Sequence, residues 1–343
     1  MKKTVLLIIA IAVFSCCAPS VFSQGVQINK LDDRVRIEIN GKLFTEYWFK
    51  GDQHPAIIES KTSDGKASKK TIPTKHVYYY PIIGPGGVKM TRNWPMVPNA
   101  PDEEYDHPHH RSLWFSHGSV NGIDFWSETD KAGKIIHDDF LEITSGKEFG
   151  LIRSTCKWVA PDGKVVLTDE RLFKVYNRPD NERLFDFEIT MKAPQNEDVI
   201  LGDTKEGSMA VRVAESMRLN RAKNQPGQGH IVQSTGIKDN QTWGKRAEWC
   251  DYYGPVDGKI VGIAIFDNPD NPRHPTYWHV RDYGLFAANP FGIHDFEKKP
   301  AGTGDLTIPA GKTVTFKYRF YIHEGNEVEG KVAEKYKEYI SKH

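Results

Sequence analysis

Cysteine is scarce: four in 343 residues, two of them at positions 16 and 17. That leaves Cys156 and Cys250, too few for a disulfide scaffold: two buried thiols, or one bridge in an oxidising compartment. Net charge is also missing, with 46 Lys and Arg against 45 Asp and Glu. Binding a phosphate backbone needs a basic surface, so the balance argues against a nucleic-acid partner. Beyond the N-terminal segment no apolar run is long enough for a membrane span. The chain lacks G-x-S-x-G, a P-loop, H-E-x-x-H and the Rossmann glycine pattern, which leaves serine hydrolases, ATPases, zincins and nicotinamide enzymes without support.

What is present begins with a leader. Met1-Lys2-Lys3 is a basic start and Val5 to Phe14 an apolar run too short to cross a bilayer, the pattern of a secretory signal. Val21-Phe22-Ser23 before Gln24 fits a cleavage site, so residues 1–23 are expected to be removed and residues 24–343 to form one exported domain, periplasmic or secreted. Val13-Phe14-Ser15-Cys16 offers the alternative of a lipoprotein anchored through Cys16. Removing the leader takes away Lys2 and Lys3 and leaves 44 basic against 45 acidic residues.

The mature chain reads as strands. "DRVRIEING" alternates apolar and polar residues and turns at Asn40-Gly41, a hairpin signal, and "KLFTEYWF" continues the pattern. "GLIRSTCKWVAPDGKVVLTDERLFKVY" is two strands about Pro161-Asp162-Gly163. "ERLFDFEITMKA", "GSMAVRVAES", "GKIVGIAIFD" and "GKTVTFKYRFYIHEG" follow. Many strands and few helices predict an all-β fold, a large antiparallel β-sandwich. One helix is expected at the C-terminus, where Val328, Val332, Tyr336, Tyr339 and Ile340 recur at helical spacing. The Lys-rich segment 59–71 reads as an exposed loop. Eight Trp, fourteen Tyr and seventeen Phe suit sheets with aromatic surfaces on which sugar rings could stack.

The chemistry concentrates in "YDHPHHRSLWFSHGSVNGIDFW", Tyr105 to Trp126. Pro108 disfavours a helix and pushes His107 towards an extended conformation. In an extended chain His107 and His109 share a face, a pair able to chelate a divalent metal with a third ligand from His117 or His279, and His110 points the other way. The metal-free reading makes His110 a general acid or base, with Asp106 orienting an imidazole and Arg111 holding a carboxylate or an oxyanion. Some of these histidines could equally cap turns. Further polar and aromatic residues on separate segments are candidates for one cleft: Arg92; Asn121; Asp203, Glu206 and Arg212; Trp249, Asp251 and Tyr252; His274, His279 and Asn289. Trp114, Trp126 and Trp249 are candidate stacking platforms, although Trp249 and Trp278 also fit core packing. Such loops at the edge of a sandwich suit a small-molecule or oligosaccharide ligand; nothing identifies a protein partner.

"DHPHHRSLWFSHGSVNGIDFW", "DTKEGSMAVRV", "EWCDYYGP" and "HPTYWHVRDYGLFAANPFG" resemble the motifs of the PmoA-like family of secreted bacterial proteins. That resemblance covers nearly the whole mature chain and implies a role in carbohydrate breakdown. The strand order, the His-rich loop and the ending "LTIPAGKTVTFKYRFYIHEG" are similar, more loosely, to the galactose-mutarotase-type supersandwich. By that likeness His110 or His117 would be the acid or base, with Glu206 opposite. The expected function is an exported carbohydrate-active enzyme of hydrolase or lyase type, with His110, His117, Arg111, Glu206 and His279 as its catalytic group. The alternatives are a sugar-binding module without catalysis and an enzyme with a histidine-ligated metal.

Overall fold

The computed structural model describes residues 24–51, 53–61, 67–221 and 225–341. The leader at 1–23 lies outside the described residues. Asn40 and Gly41 both take positive φ, 51° and 74°, as a two-residue hairpin turn demands, and join Arg34–Ile39 to Lys42–Trp48. Gly163, at φ 92°, sits in the turn between Phe149–Val159 and Val165–Tyr176. These and the remaining long strands assemble into two eight-stranded sheets in which every pairing is antiparallel.

In the first sheet the order is Val26–Lys30, Arg34–Ile39, Lys42–Trp48, Tyr78–Tyr79, Leu113–His117, Gly207–Arg212, Leu285–Asn289 and Tyr277–Val280. The second runs His230–Gln233, Trp249–Val256, Lys259–Asp267, Thr313–Glu324, Glu182–Lys192, Val165–Tyr176, Phe149–Val159 and Lys134–Thr144. Alternate side chains point to opposite faces of a strand. Leu113 and Phe115, Met209 and Val211, and Phe286 and Ala288 of the first sheet therefore pack with Phe173, Phe187, Ile263 and Phe320 of the second in one large core. Trp114, Ala210, Leu285 and Ala287 face the other way and found a separate cluster on the outer side of the first sheet.

The C-terminal helix, Val332–Ile340, lies on the outer side of the second sheet, where Val332, Tyr336 and Tyr339 cover Trp249, Ala264, Phe266 and Tyr321. Val328, expected in its apolar stripe, precedes the helix and is exposed. The segment expected as a loop at 59–71 is instead largely a strand pair, Ala56–Lys61 with Ala67–Ile72, because Ile58 and Ile72 pack on a small cluster of Ala56, Trp94 and Ala100. Cys156 and Cys250 are both free and buried. They sit on the seventh and second strands of the second sheet, about five strand spacings or ~24 Å apart, far beyond disulfide reach.

Candidate active site on the outer face of the first sheet

The His-rich loop reaches this face as a turn, which corrects the extended conformation expected from Pro108. The His110 N–H donates to the His107 carbonyl at 3.0 Å, with Pro108 at the second position of the turn, and His107 takes a left-handed φ of 44°. Proline's own fixed φ suits that turn position. The three imidazoles consequently gather instead of alternating. His107 stacks on His110 at 4.7 Å between ring centres and 8° between planes, and His109 meets His110 edge-on at 4.5 Å.

Asp106 is the anchor of the turn. Its Oδ1 receives Arg212 Nη2 at 2.9 Å and is also paired with Arg92, and both guanidiniums are buried. Arg92 further donates to the carbonyls of Asp106 and His107, at 3.0 and 3.1 Å. The other carboxylate oxygen, Oδ2, lies 2.8 Å from His107 Nδ1. Burial opposes the charge on Asp106, but the bond to His107 and the two arginines outweigh it and hold the carboxyl well below its usual range. Burial and the charge of Arg212 bring Arg92 down to about 9. Since a carboxylate only accepts, His107 carries its proton on Nδ1 and leaves Nε2 as a lone-pair acceptor on an exposed ring.

His110 has the opposite tautomer. Arg212 Nη1 can only donate, so its 3.2 Å contact makes His110 Nδ1 the acceptor and puts the proton on Nε2. Burial first, then the neighbouring His109 and Arg212, push its pKa well below the ordinary histidine value. Burial and the charges around it lower His109 to about 3. Beneath them His110 stacks on Trp114 at 5.3 Å, and Trp126 closes on both, 5.2 Å from Trp114. Arg111, expected to bind substrate, is committed elsewhere: Nε and Nη2 donate to the buried Glu128 at 2.6 and 2.7 Å, and Nη1 donates to the His54 carbonyl at 2.8 Å. Glu128 is the partner a buried guanidinium requires, and it stands two residues beyond Trp126.

Strand register extends the site sideways. Trp114 pairs with Ala210, Ala210 with Ala287 and Ala287 with His279, so one row crosses four strands with two small residues between bulky ends. Three strand spacings put the ends roughly 14 Å apart. Tyr283 packs against this cluster, stacked on His107 at 5.1 Å and 5°. At the far end His279 Nδ1 donates to the Lys205 carbonyl at 2.5 Å, which Asn289 Nδ2 also reaches at 2.8 Å. Burial lowers His279 to about 4, leaving a neutral ring with Nε2 as acceptor. The half-buried Glu206 carboxylate acts electrostatically on both His279 and Tyr283. Arg92, His107, His109, His110, Trp114, Trp126 and Arg212 thus form one end of a single face, and Glu206, His279 and Asn289 the other.

The other candidates lie elsewhere. His117 falls on the core side of its strand, Nε2 donating to the Gly202 carbonyl at 2.9 Å, because it is odd-numbered from Leu113 and Phe115. Asn121 ties its turn to Ile200. Trp249 is covered by the C-terminal helix, and Asp251 pairs with His323 at 3.1 Å on that same outer side of the second sheet. The Tyr252 ring is in the core and His274 is bound to Asp267 at 2.7 Å. Among the described residues no group of three or more His, Cys, Asp or Glu is placed to hold a metal ion. The His107–His109 pair also stands beside two guanidiniums, which disfavour a cation, so these residues do not fit the divalent metal. Tyr283 and Glu128 were missed in the sequence: Tyr283 stands within "RDYG", where its ring gives no signal of its own.

The family follows from the whole chain. Residues 34–337 match the family described as "Family of unknown function (DUF6807)". The chain belongs to DUF6807. The PmoA-like motifs remain a resemblance beside that membership. No curated protein sequence matches this DUF6807 member. Its fold is similar to solved structures: a candidate kojibiose phosphorylase from human microbiome (11% identity, 87% of this chain and 35% of that one, TM-score 0.32), galactose 1-epimerase from Lactobacillus acidophilus NCFM (8%, 81% and 100%, 0.34) and a GalM/aldose epimerase homologue from C. elegans (6%, 89% and 100%, 0.30). The chain spans about a third of the length of the first. Likenesses of this strength carry no functional weight. Among the described residues no helix is long and apolar enough to cross a membrane.

Proposed function

We propose that this DUF6807 member is an exported carbohydrate-active enzyme, of hydrolase or lyase type, in which the Asp106–His107 dyad moves the proton. The supporting observation is the 2.8 Å bond from His107 Nδ1 to a carboxylate that two buried arginines fix in place. A carboxylate behind Nδ1 sets the tautomer and stabilises the imidazolium formed when the exposed Nε2 takes a proton. His110, held neutral with its proton on Nε2, serves as a hydrogen-bond donor to a substrate oxygen. Among the described residues the buried Arg92 Nε, Arg212 Nε and Trp126 Nε1 find no hydrogen-bond partner, which marks the ground beneath the loop as unusually polar. The half-buried ring of Tyr283 suits the face of a sugar, whereas Trp114 and Trp126, expected as stacking platforms, are fully buried beneath the loop and pack it from below. Export rests on the leader at 1–23 and is checked by locating the full-length protein in fractionated cells.

The test is turnover on a panel of glycosides and polysaccharides. His107→Ala is expected to lower kcat by about 10²- to 10⁴-fold, with little change in Tm because the ring is exposed. Asp106→Asn should fall with it. Full turnover in His107→Ala would remove the dyad from the chemistry. A wild-type protein that binds sugars and turns none over would instead be a sugar-binding module.

A further inference from the structure

The arginines below the His-rich loop are paired: Arg92 and Arg212 with Asp106, Arg111 with Glu128, Arg218 with Glu104 and Glu215. Arg281 differs. It follows the Tyr277–Val280 strand, is half-buried, and among the described residues no carboxylate lies within ion-pair distance of it. Its guanidinium sits between two rings, 5.4 Å from the centre of Tyr283 and 5.8 Å from that of Trp243. It lines a cavity of about 250 Å³ together with Asn240, Trp243, Val280 and Asp282. The Asp282 carboxylate, the acidic group in that lining, accepts a hydrogen bond from Asn220 Nδ2 at 2.8 Å. Ring contacts link the cavity's lining to the site at two points, through Tyr283 beside Arg281 and through Trp243. Tyr283 stacks on His107, and Trp243 meets the His279 ring edge-on at 6.4 Å.

We propose that this cavity is a subsite for a carboxylate-bearing sugar, with Arg281 gripping the carboxylate and Trp243 and Tyr283 flanking the ring. The idea rests on the carbohydrate reading above and adds the substrate class to it. A guanidinium offers a two-pronged donor fork to a carboxylate. Held between aromatic faces, it is oriented before the ligand arrives, so less freedom is lost on binding. A half-exposed arginine without a carboxylate of its own is free to supply that charge, whereas Arg111 is held by Glu128 and the buried Arg92 and Arg212 are both held by Asp106. The uronic acid, bound here, lies one aromatic ring away from the His107 dyad.

The experiment compares binding of sodium glucuronate and galacturonate with binding of glucose and galactose by titration calorimetry on the mature protein. Wild type is expected to prefer the uronates by about tenfold or more, the scale of one charge-assisted bidentate contact, and to lose that preference as salt is raised. Arg281→Gln should abolish the preference with an unchanged Tm and unchanged hexose binding. Arg281→Lys, which keeps the charge without the fork, should restore part of it. His107→Ala should keep the preference while losing turnover. Equal affinity for uronate and hexose in wild type, absence of uronate binding, or an undiminished preference in Arg281→Gln each overturns the subsite. Turnover surviving in His107→Ala overturns the acid/base role and leaves the subsite standing, so the two failures are distinguishable.

Discussion

Glu128 and Arg111 meet with all four of their bonded atoms out of water, at 2.6 and 2.7 Å. Burial works against the charge on Arg111, and the carboxylate more than offsets it, so the guanidinium pKa is raised. Breaking such a pair from one side strands a charge in the interior, at a cost of about 3–5 kcal/mol. Glu128→Gln is therefore expected to lower the urea midpoint strongly. The double variant Glu128→Gln with Arg111→Met should recover much of the loss, since the stranded charge is gone. A midpoint unmoved by Glu128→Gln would show that the pair does not support the loop. At this scale the recruits were legible in the sequence and their pairings were not. Four histidines and an arginine in one short stretch signal a site, but whether Arg111 faces ligand or Glu128 depends on which side of the chain each residue takes. The misplacement of His117 has the same origin: it lies in the dense stretch, yet strand alternation turns it into the core.

Elements were easier to read than contacts because local chemistry decides them. Asn40-Gly41 and Pro161-Asp162-Gly163 mark the two turns that the structure shows, and alternation marks the strands on either side. The His107–His110 turn is hidden in the sequence because proline's restriction on its predecessor favours an extended chain, while its preference for the second turn position and the pull of two arginines on Asp106 decide the outcome. The C-terminal helix was legible from Val332, Tyr336 and Tyr339 at helical spacing. Its docking depends on those side chains more than on its own propensity, since nine residues are marginal as an isolated helix. Tyr336, edge-on to Phe266 at 5.6 Å, is the central contact. Tyr336→Ala should cost about 3–5 kcal/mol if the helix stays coupled to the sandwich, by analogy with other buried aromatic truncations. If the helix detaches locally instead, amide exchange accelerates within residues 332–340 while the two sheets stay protected. Unchanged exchange together with unchanged stability would contradict the docking.

Across the whole molecule the histidines set the acid response. Burial holds His117 and His279 down to about 4, and His109, with the charges around it, to about 3; His76 and His110 are also pushed well below the ordinary value. In the unfolded chain each would titrate near 6.5. A depressed folded pKa means that the unfolded state takes up protons first as pH falls, so the stability present above about 6.5 drains away down to about 4. Asp106, also depressed, adds a loss in the same direction below the ordinary carboxylate range. His323 acts oppositely: burial is outweighed by Asp251, its pKa is raised, and its contribution is present in acid and lost as pH rises through the folded value. His54 and His137 are lowered as well, chiefly by burial, and seven lowered rings against one raised ring fix the net sign among the described residues. Thermal unfolding of the mature protein should give a Tm that is level from pH 8 to 7 and declines steadily between pH 6.5 and 4. His117→Gln keeps a hydrogen-bond donor near the Gly202 carbonyl and removes one proton site, so its Tm should decline less steeply over that interval. A level Tm down to pH 4, or a variant that follows wild type at every pH, would mean that these rings are not held neutral inside the sandwich.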